Sequence, residues 1–484
     1  MLNNTYFQIF SKFKNIVLYS ISSISQSALV FLLLPSILSY LSPEDFGKYT
    51  IIQLFVSVFS GVFYMGATTS LLKEYFDTVD KVKRKIIFSA NLVITIIGAL
   101  LILTIGIFFG NQILSLIVRE QFDWVLLFLA FASAGMLIIF NYFLTFFRCL
   151  EKSFTYLYFS LGLLITNFIF TLILFHFTTI EHILVPFFGT FVCVAIANII
   201  LFIYLKQDFT HRIPVQIFVK NLKFGFPFAI SGIVLYLGNT VDRFVLSSLM
   251  NVESVGVYSF AVRMGAIIQV LLIIPFGLFW SSVRLDKFNG NNFPMINSKI
   301  AYYYVLVGFV LILFLNIFSN QVIGFFTDKD EYSQTSNLIL VFMIAYLIQG
   351  FQNISDVGIF RSGKNLYLTL LSVLLIPFFI ISNRLLIPSF GLYGAAFTLL
   401  FGYIIFAILI IYINNRFVSL PYDLEGIVKL LIYNIVVLLV FNIYLKTFEG
   451  ILLRLFFAIG YLSILTLLFI KKDDKLFIKP ILNS

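Results

Sequence analysis

Apolar runs of about 20 residues, the length that carries a helix across about 30 Å of hydrocarbon, occur fourteen times in this chain. They begin near Ile16, Tyr49, Ile86, Asp123, Tyr156, Ile183, Phe224, Ser254, Ala301, Asn337, Leu366, Gly391, Ile427 and Ile451. Inside a bilayer each backbone N–H and C=O needs a partner within the protein, which leaves helices and closed barrels as spanning structures. Barrel strands alternate apolar and polar residues, whereas these runs are continuous. The expectation is an all-α polytopic membrane protein with about 14 transmembrane helices. Only residues 446–450 separate the last two runs. Composition agrees: 61% of the 484 residues are apolar and 11% charged, against about half and a quarter in soluble domains. The first run has spanning length and no small-residue cleavage site, so it is expected to stay as an anchor.

The formal net charge of +10 invites a nucleic-acid partner, but its placement argues for topology instead. With both termini cytoplasmic, that side receives 24 of the 32 Lys and Arg. Clusters stand at Lys81, Lys83, Arg84 and Lys85, at Lys206, Arg212, Lys220 and Lys223, and at Lys471, Lys472, Lys475 and Lys479. Lys48, Arg119, Lys329, Arg384, Lys446 and Arg454 fall outside, and Arg243 and Arg263 lie within runs. This is the positive-inside pattern of a multi-pass protein in the cytoplasmic membrane, with no nucleic acid implied. The two cysteines, Cys149 and Cys193, lack metal-ligand spacing and read as free thiols.

The chain is also duplicated. Residues 14–49 align without a gap to residues 223–258, an offset of 209, with eight of thirty-six positions identical. Several identities fall on polar or glycine positions, including Lys14/Lys223, Ser22/Ser231, Glu44/Glu253, Gly47/Gly256 and Tyr49/Tyr258. A second echo pairs Phe147, Arg148 and Lys152 with Phe360, Arg361 and Lys364 at nearly the same spacing. Six runs intervene between the first and the seventh, so both halves start from the same side and relate by an axis along the membrane normal. The expected organisation is a six-helix lobe over 1–206, a basic cytoplasmic linker over 207–222, and a second six-helix lobe over 223–415. Two extra helices and a basic tail occupy 416–484. Gly47 and Gly256 are expected in tight turns, where a backbone with φ > 0 favours glycine.

This pattern resembles the oligosaccharide flippase branch of the multidrug/oligosaccharidyl-lipid/polysaccharide exporter superfamily. The resemblance rests on the stretches LSPEDFGKY at 41–49, NVESVGVY at 251–258, Arg361-Ser362-Gly363-Lys364, and NRLLIPSFGLYGAA at 383–396. It implies a flippase that moves polyprenyl-diphosphate-linked oligosaccharide to the outer leaflet by alternating access, for O-antigen, capsule or a similar polymer. Membrane lipids and other polysaccharide-assembly proteins would be its partners. The alternative within the superfamily is a multidrug exporter of organic cations.

Charge buried in hydrocarbon costs roughly 2.5–3.5 kcal/mol on insertion scales, so intramembrane ions and amides are the first candidates. Asn239, Asp242 and Arg243 stand at i, i+3 and i+4, on one face of a continuous helix. Arg263 lies at similar depth in the next run, and Arg384 near an outer helix end. Guanidinium forks suit diphosphate oxygens, but an Asp242–Arg243 or Asp242–Arg263 ion pair explains the same residues. Gln349, Gln352, Asn353 and Asp356 form a second stripe, which must face a partner or a wet cavity. An Asp356–Arg361 ion pair is the plainer reading of its last member. Substrate-binding candidates are therefore Arg243, Arg263, Gln349, Asn353, Arg148 and Arg361, and Asp242 and Asp356 are candidates for proton or sodium coupling. Gln26 and Asn167 read as interhelical hydrogen-bonding groups, and His176, Glu181 and His182 as interfacial.

A membrane polymerase or glycosyltransferase is the rival from the enzyme class, with Glu44 and Asp45 as an acidic pair. Glu44 is echoed by Glu253, however, and no sizeable outer loop is present to hold an acceptor. No glycine-rich phosphate loop of the P-loop type occurs either. The expectation is a transporter without cofactor or metal.

Overall fold

The computed structural model describes residues 25, 31–118, 121–238, 240–277, 280, 293–364, 366–445 and 451–469. These are helical nearly throughout. In chain order the helices are α1 (Phe31–Tyr40), α2 (Pro43–Asp77), α3 (Lys81–Val118), α4 (Trp124–Cys149), α5 (Ser153–Phe177) and α6 (Val185–Tyr204). Then come α7 (Val215–Gly238), α8 (Val241–Leu249) and α9 (Val252–Gly265), followed by a π-helical segment, Gln269–Ile273. After it come α10 (Phe293–Ile317), α11 (Ser319–Phe326), α12 (Ser336–Ser355), α13 (Val357–Arg361), α14 (Leu366–Phe390), α15 (Leu392–Asn414), α16 (Leu424–Val440) and α17 (Ile451–Phe469), with a single helical turn at Asp330–Ser333 and a second π-helical segment at Phe441–Leu445.

Eleven of the described helices are long and apolar enough to cross a membrane. The first apolar run, with Gln26, lies almost wholly outside the described residues, and the seventh is interrupted. The full count of fourteen is therefore not reached among them. Contacts group the chain into two compact units, residues 1–260 with 369–398, and residues 261–368 with 399–484.

The start of α2 shows how sequence sets a boundary here. Ser42 precedes Pro43, whose fixed φ and missing N–H suit a first helical position. The Ser42 hydroxyl accepts from the Asp45 backbone N–H at 3.0 Å and donates to the Asp45 carboxylate at 2.8 Å. Glu44 and Asp45 add negative charge where the helix dipole is positive. The reversal is thus confined to Leu41 and Ser42, and Gly47 is already a full turn inside α2. The expected role of Gly47 and Gly256 as left-handed turn residues is not what the structure uses them for. That conformation belongs to Gly363 and Gly391, with φ of 67° and 55°.

In the first unit, α3, α4 and α6 share an aromatic core. Phe88 stacks on Phe146 with ring centroids 3.8 Å apart, and the buried Tyr142 hydroxyl donates to the Phe88 carbonyl at 2.6 Å. This core makes α4 a rigid wall for the pocket described below.

Candidate functional site

In the first unit, Asp242 is held by three hydrogen-bonding contacts. The helix that should have carried Asn239, Asp242 and Arg243 on one face breaks: α7 ends at Gly238, and Thr240 turns with φ −129° before α8 begins. The Thr240 N–H bonds Leu237 O at 3.1 Å in a three-residue turn, in a stretch of Gly, Asn and Thr that competes with helix. Asn239 lies outside the described residues. Asp242 and Arg243 stay together in the first turn of α8. The Asp242 carboxylate accepts from the Tyr258 hydroxyl at 2.6 Å and from the Arg243 guanidinium at 3.1 Å. It also accepts the Arg243 backbone N–H at 2.9 Å, and the guanidinium lies 5.7 Å from the Tyr258 ring centre. The ion-pair reading of Asp242 and Arg243 is the one present.

Beside it, α2 and the second repeat meet through glycine. An added Cβ at Gly47 would overlap the Val252 carbonyl, and one at Gly256 would overlap the Pro43 carbonyl. Toward the other end of α2, a Cβ at Gly66 would lie 3.0 Å from Gly225 O, and one at Gly225 would lie 2.6 Å from Gly66 O. Lys220 then pairs with Glu74 at 2.6 Å, and the Lys73 ammonium sits 4.2 Å from the Phe224 ring centre. Helix α2 is closed against the second repeat at both of its ends.

Inside the first unit, α2, α4 and α6 enclose a cavity of about 330 Å³. Its polar lining is Tyr49, Gln53, Ser57, Ser60, Ser133, Asn141 and Thr190, with Phe187 beside Tyr49. No lining residue among those described is charged. Asn167 stands behind the wall and donates to the Thr190 hydroxyl at 3.2 Å, which agrees with its reading as an interhelical group. Sequence reasoning passed over this pocket. The signal was present: Tyr49, Gln53, Ser57 and Ser60 follow the same helical spacing that drew attention to Gln349.

In the second unit the stripe on α12 divides. Gln349 joins a hydrogen-bonded chain, accepting from Gln269 at 3.1 Å and donating to the Tyr403 hydroxyl at 3.2 Å. Gln269 opens the π-helical segment, and such segments recur at functional sites. Asn353 is exposed, and its carbonyl accepts the Trp280 indole N–H at 2.9 Å. Asp356 sits at the joint between α12 and α13, with φ −87° and ψ 3°. Nearby, Asn297 on α10 is fully buried with both amide atoms unpartnered, and the Gln352 amide nitrogen is likewise unpartnered. Tyr422 closes this corner beside Ser355 and Asn297, without a hydrogen bond of ordinary geometry. Burial, helped by the Asp356 charge, pushes its phenol up to about 12. Arg263 is half-buried on α9 and belongs to the second unit, whereas Asp242 belongs to the first.

Arg148 and Arg361 are exposed on equivalent turns. Both turns end a helix with the same pair of bonds: Lys152 N–H to Phe147 O at 2.9 Å with Glu151 N–H to Arg148 O at 3.1 Å, and Lys364 N–H to Ile359 O at 3.3 Å with Gly363 N–H to Phe360 O at 3.1 Å. This closure needs a left-handed residue after the cap. Gly363 supplies it in one turn and Glu151, with φ 56°, in the other. The bonding registers Lys152 on Lys364 and Arg148 on Phe360, so the two arginines are one residue out of step. Each lysine lies over an aromatic ring at or just past the end of a later helix: Lys152 is 5.7 Å from Tyr204, and Lys364 is 5.2 Å from Phe417.

Comparison with known proteins places this geometry. The sequence profile of a family described as "Polysaccharide biosynthesis protein" matches residues 13–285, more than half of the chain. No curated protein matches. Among solved structures, lipid II flippase MurJ in an inward closed conformation is similar, with TM-score 0.74 and 16% identity over 93% of this chain and 98% of that one. A multidrug resistance MATE family transporter in an inward-facing conformation has TM-score 0.65 and 14% identity, covering 84% of this chain and 95% of the other. A transporter of the same superfamily from Pyrococcus furiosus has TM-score 0.52 and 13% identity, over 83% and 95%. At these identities the likeness is one of fold.

Proposed function

Because this chain belongs to the polysaccharide biosynthesis protein family, a transporter and not an enzyme, we propose that it is a flippase for polyprenyl-diphosphate-linked oligosaccharide. The cargo would serve O-antigen, capsule or a similar surface polymer. The observation that carries this reading is the lining of the α2/α4/α6 pocket. Hydroxyls and amides with an aromatic face suit uncharged sugar. An extruder of organic cations calls for carboxylates, and the described lining has none. The volume of about 330 Å³ is at the small end of ligand pockets, about 300–1,000 Å³, enough for a terminal sugar of the glycan.

In this reading Arg243 and Arg263 meet the diphosphate, and Gln349 and Asn353 contribute polar contacts in the second repeat. Arg148 and Arg361 draw the anionic lipid to the cytoplasmic face of the cell membrane. Lobes 1–206 and 223–415 alternate around the cargo, residues 416–484 add the two extra helices, and Asp242 and Asp356 take part in any coupling to protons or sodium. Membrane lipids and other polysaccharide-assembly proteins surround it.

The test is deletion of the gene with analysis of surface glycan and of lipid-linked repeat units. Accumulation of lipid-linked units on the cytoplasmic side, with loss of surface polymer, is expected. Unchanged glycan with new sensitivity to cationic dyes would replace this reading with the multidrug exporter.

A further inference from the structure

Helices α5 and α6 leave an apolar groove of about 710 Å³ between them, more than twice the volume of the polar pocket. Its walls include Leu157, Leu161, Ile165, Ile196 and Ile200, with Cys193 facing in from α6. Gly162 lies on the groove wall, and a Cβ added there would meet nothing within 4 Å. From Phe154 to Thr166 the groove follows α5 for roughly 18 Å at about 1.5 Å per residue. That matches one leaflet, half of a hydrocarbon core of about 30 Å. At its Phe154 end stands the turn of residues 148–152. Lys152, the residue immediately before α5, is exposed, with its ammonium over Tyr204 at the end of α6. Thus the same two helices that form the groove also bracket the lysine.

The turn carries Arg148, Glu151 and Lys152, a net charge of one positive unit. We propose that the α5–α6 groove holds one acyl chain of a phospholipid with a single net negative charge, whose phosphate sits against Lys152. The groove's walls are the apolar faces of two helices of membrane-spanning length, so in this proposal the lipid enters sideways from the bilayer. Its place is separate from the sugar pocket, and the proposal does not rest on the transport reading.

The test uses the full-length protein in phosphatidylcholine vesicles doped with phosphatidylglycerol bearing a photoactivatable group on its acyl chain. Adducts are mapped by peptide mass spectrometry, against a phosphatidylcholine probe carrying the same chain. Adducts on Leu161, Ile165, Cys193 or Ile196 are expected, several-fold more with the phosphatidylglycerol probe. Lys152→Gln should reduce them to the phosphatidylcholine level. Gly162→Leu, which fills the groove from an open position, should suppress them for both probes. Equal labelling by both probes, or labelling unchanged in Lys152→Gln, would overturn the proposal. Displacement of the probe by polyprenyl diphosphate but not by unlabelled phosphatidylglycerol would overturn it as well, and would make the cargo lipid the occupant.

Discussion

Gly47 and Gly256 lock into each other's helix reciprocally: Gly47 faces the first residue of α9, Val252, and Gly256 faces the first residue of α2, Pro43. Each glycine is the fifth residue of its helix, and the offset of 209 residues that relates the glycines also relates Pro43 to Val252. The contact is therefore a local pseudo-two-fold, made by the two repeats within one chain. Its atoms are backbone carbonyls, which cannot swing aside as a side chain would.

It follows that Gly47→Ala and Gly256→Ala should each force the starts of α2 and α9 apart. Overpacking of this kind costs about 1–3 kcal/mol. Once one methyl has separated the helices the second has room, so the double replacement should cost clearly less than the sum of the singles. A thiol placed at Glu44 or Glu253 should react faster with a membrane-impermeant maleimide in either variant. Unchanged labelling together with additive destabilisation would show that the contact does not hold this end closed.

Asp242, Arg243 and Tyr258 lead to a second expectation. The carboxylate is nearly buried, with side-chain exposure of 6% against 11% for Arg243. Removing one partner of a buried pair costs about 3–5 kcal/mol, because the other charge is left alone. Asp242→Ala should thus destabilise the protein strongly in a thermal melt in detergent. Asp242→Ala/Arg243→Ala should regain much of that loss. Tyr258→Phe, which removes one hydrogen bond to a charged group, should cost about 1.5–3 kcal/mol. Rescue by Arg263→Ala instead would make Arg263 the true counter-ion.

Glu151 offers a stabilising change. It is the one non-glycine with positive φ among the described residues, and such a conformation costs an L-residue about 1–2 kcal/mol. Glu151→Gly should raise the melting temperature by removing that strain, less the entropy glycine loses on folding. Gly363→Ala should lower it at the equivalent turn. Opposite signs at two equivalent positions are the readout, and a fall in both variants would show that the Glu151 carboxylate stabilises its turn by other means.

Much of the architecture was legible because a bilayer leaves few choices: eleven of the fourteen apolar runs fall on described helices long and apolar enough to cross a membrane. The break at Thr240 was not legible, since apolar periodicity continues through it and only a local Gly-Asn-Thr sequence interrupts the backbone. The use of Gly47 was misread for a related reason. A glycine near a reversal signals either a left-handed turn or a close helix contact, and only the partner's position decides. Of the candidate site, the Asp242–Arg243 pair was visible as adjacent charges. Its third member, Tyr258, was noted only as a repeat identity, because nothing in sequence shows that α9 returns to α8. The polar pocket of α2, α4 and α6 escaped because serines are common on membrane helices, where they bond to their own backbone, as Ser57 does to Gln53 O at 2.7 Å.

The corner of the second unit around Tyr422 gives a pH-dependent expectation. Tyr422 lies before α16, outside the spanning segments, and its phenol is pushed from 10.0 up to about 12 by burial, which outweighs the opposing pull of Ser355 and Asn297; the Asp356 charge adds a smaller push. The native protein keeps this proton at pH values where the unfolded chain has released it. Stability from this group is therefore complete below about pH 10 and lost as pH rises towards about 12. At about 1.4 kcal/mol per unit, the loss across that window is on the order of 2–3 kcal/mol. Tyr422→Phe removes the titrating group and, since its hydroxyl has no hydrogen bond of ordinary geometry, should cost little at neutral pH. Thermal melts of wild type and Tyr422→Phe should then run parallel from pH 7 to about 10 and diverge above it, with the phenylalanine variant the more stable. Parallel curves throughout would mean that the phenol titrates normally and that water reaches this corner.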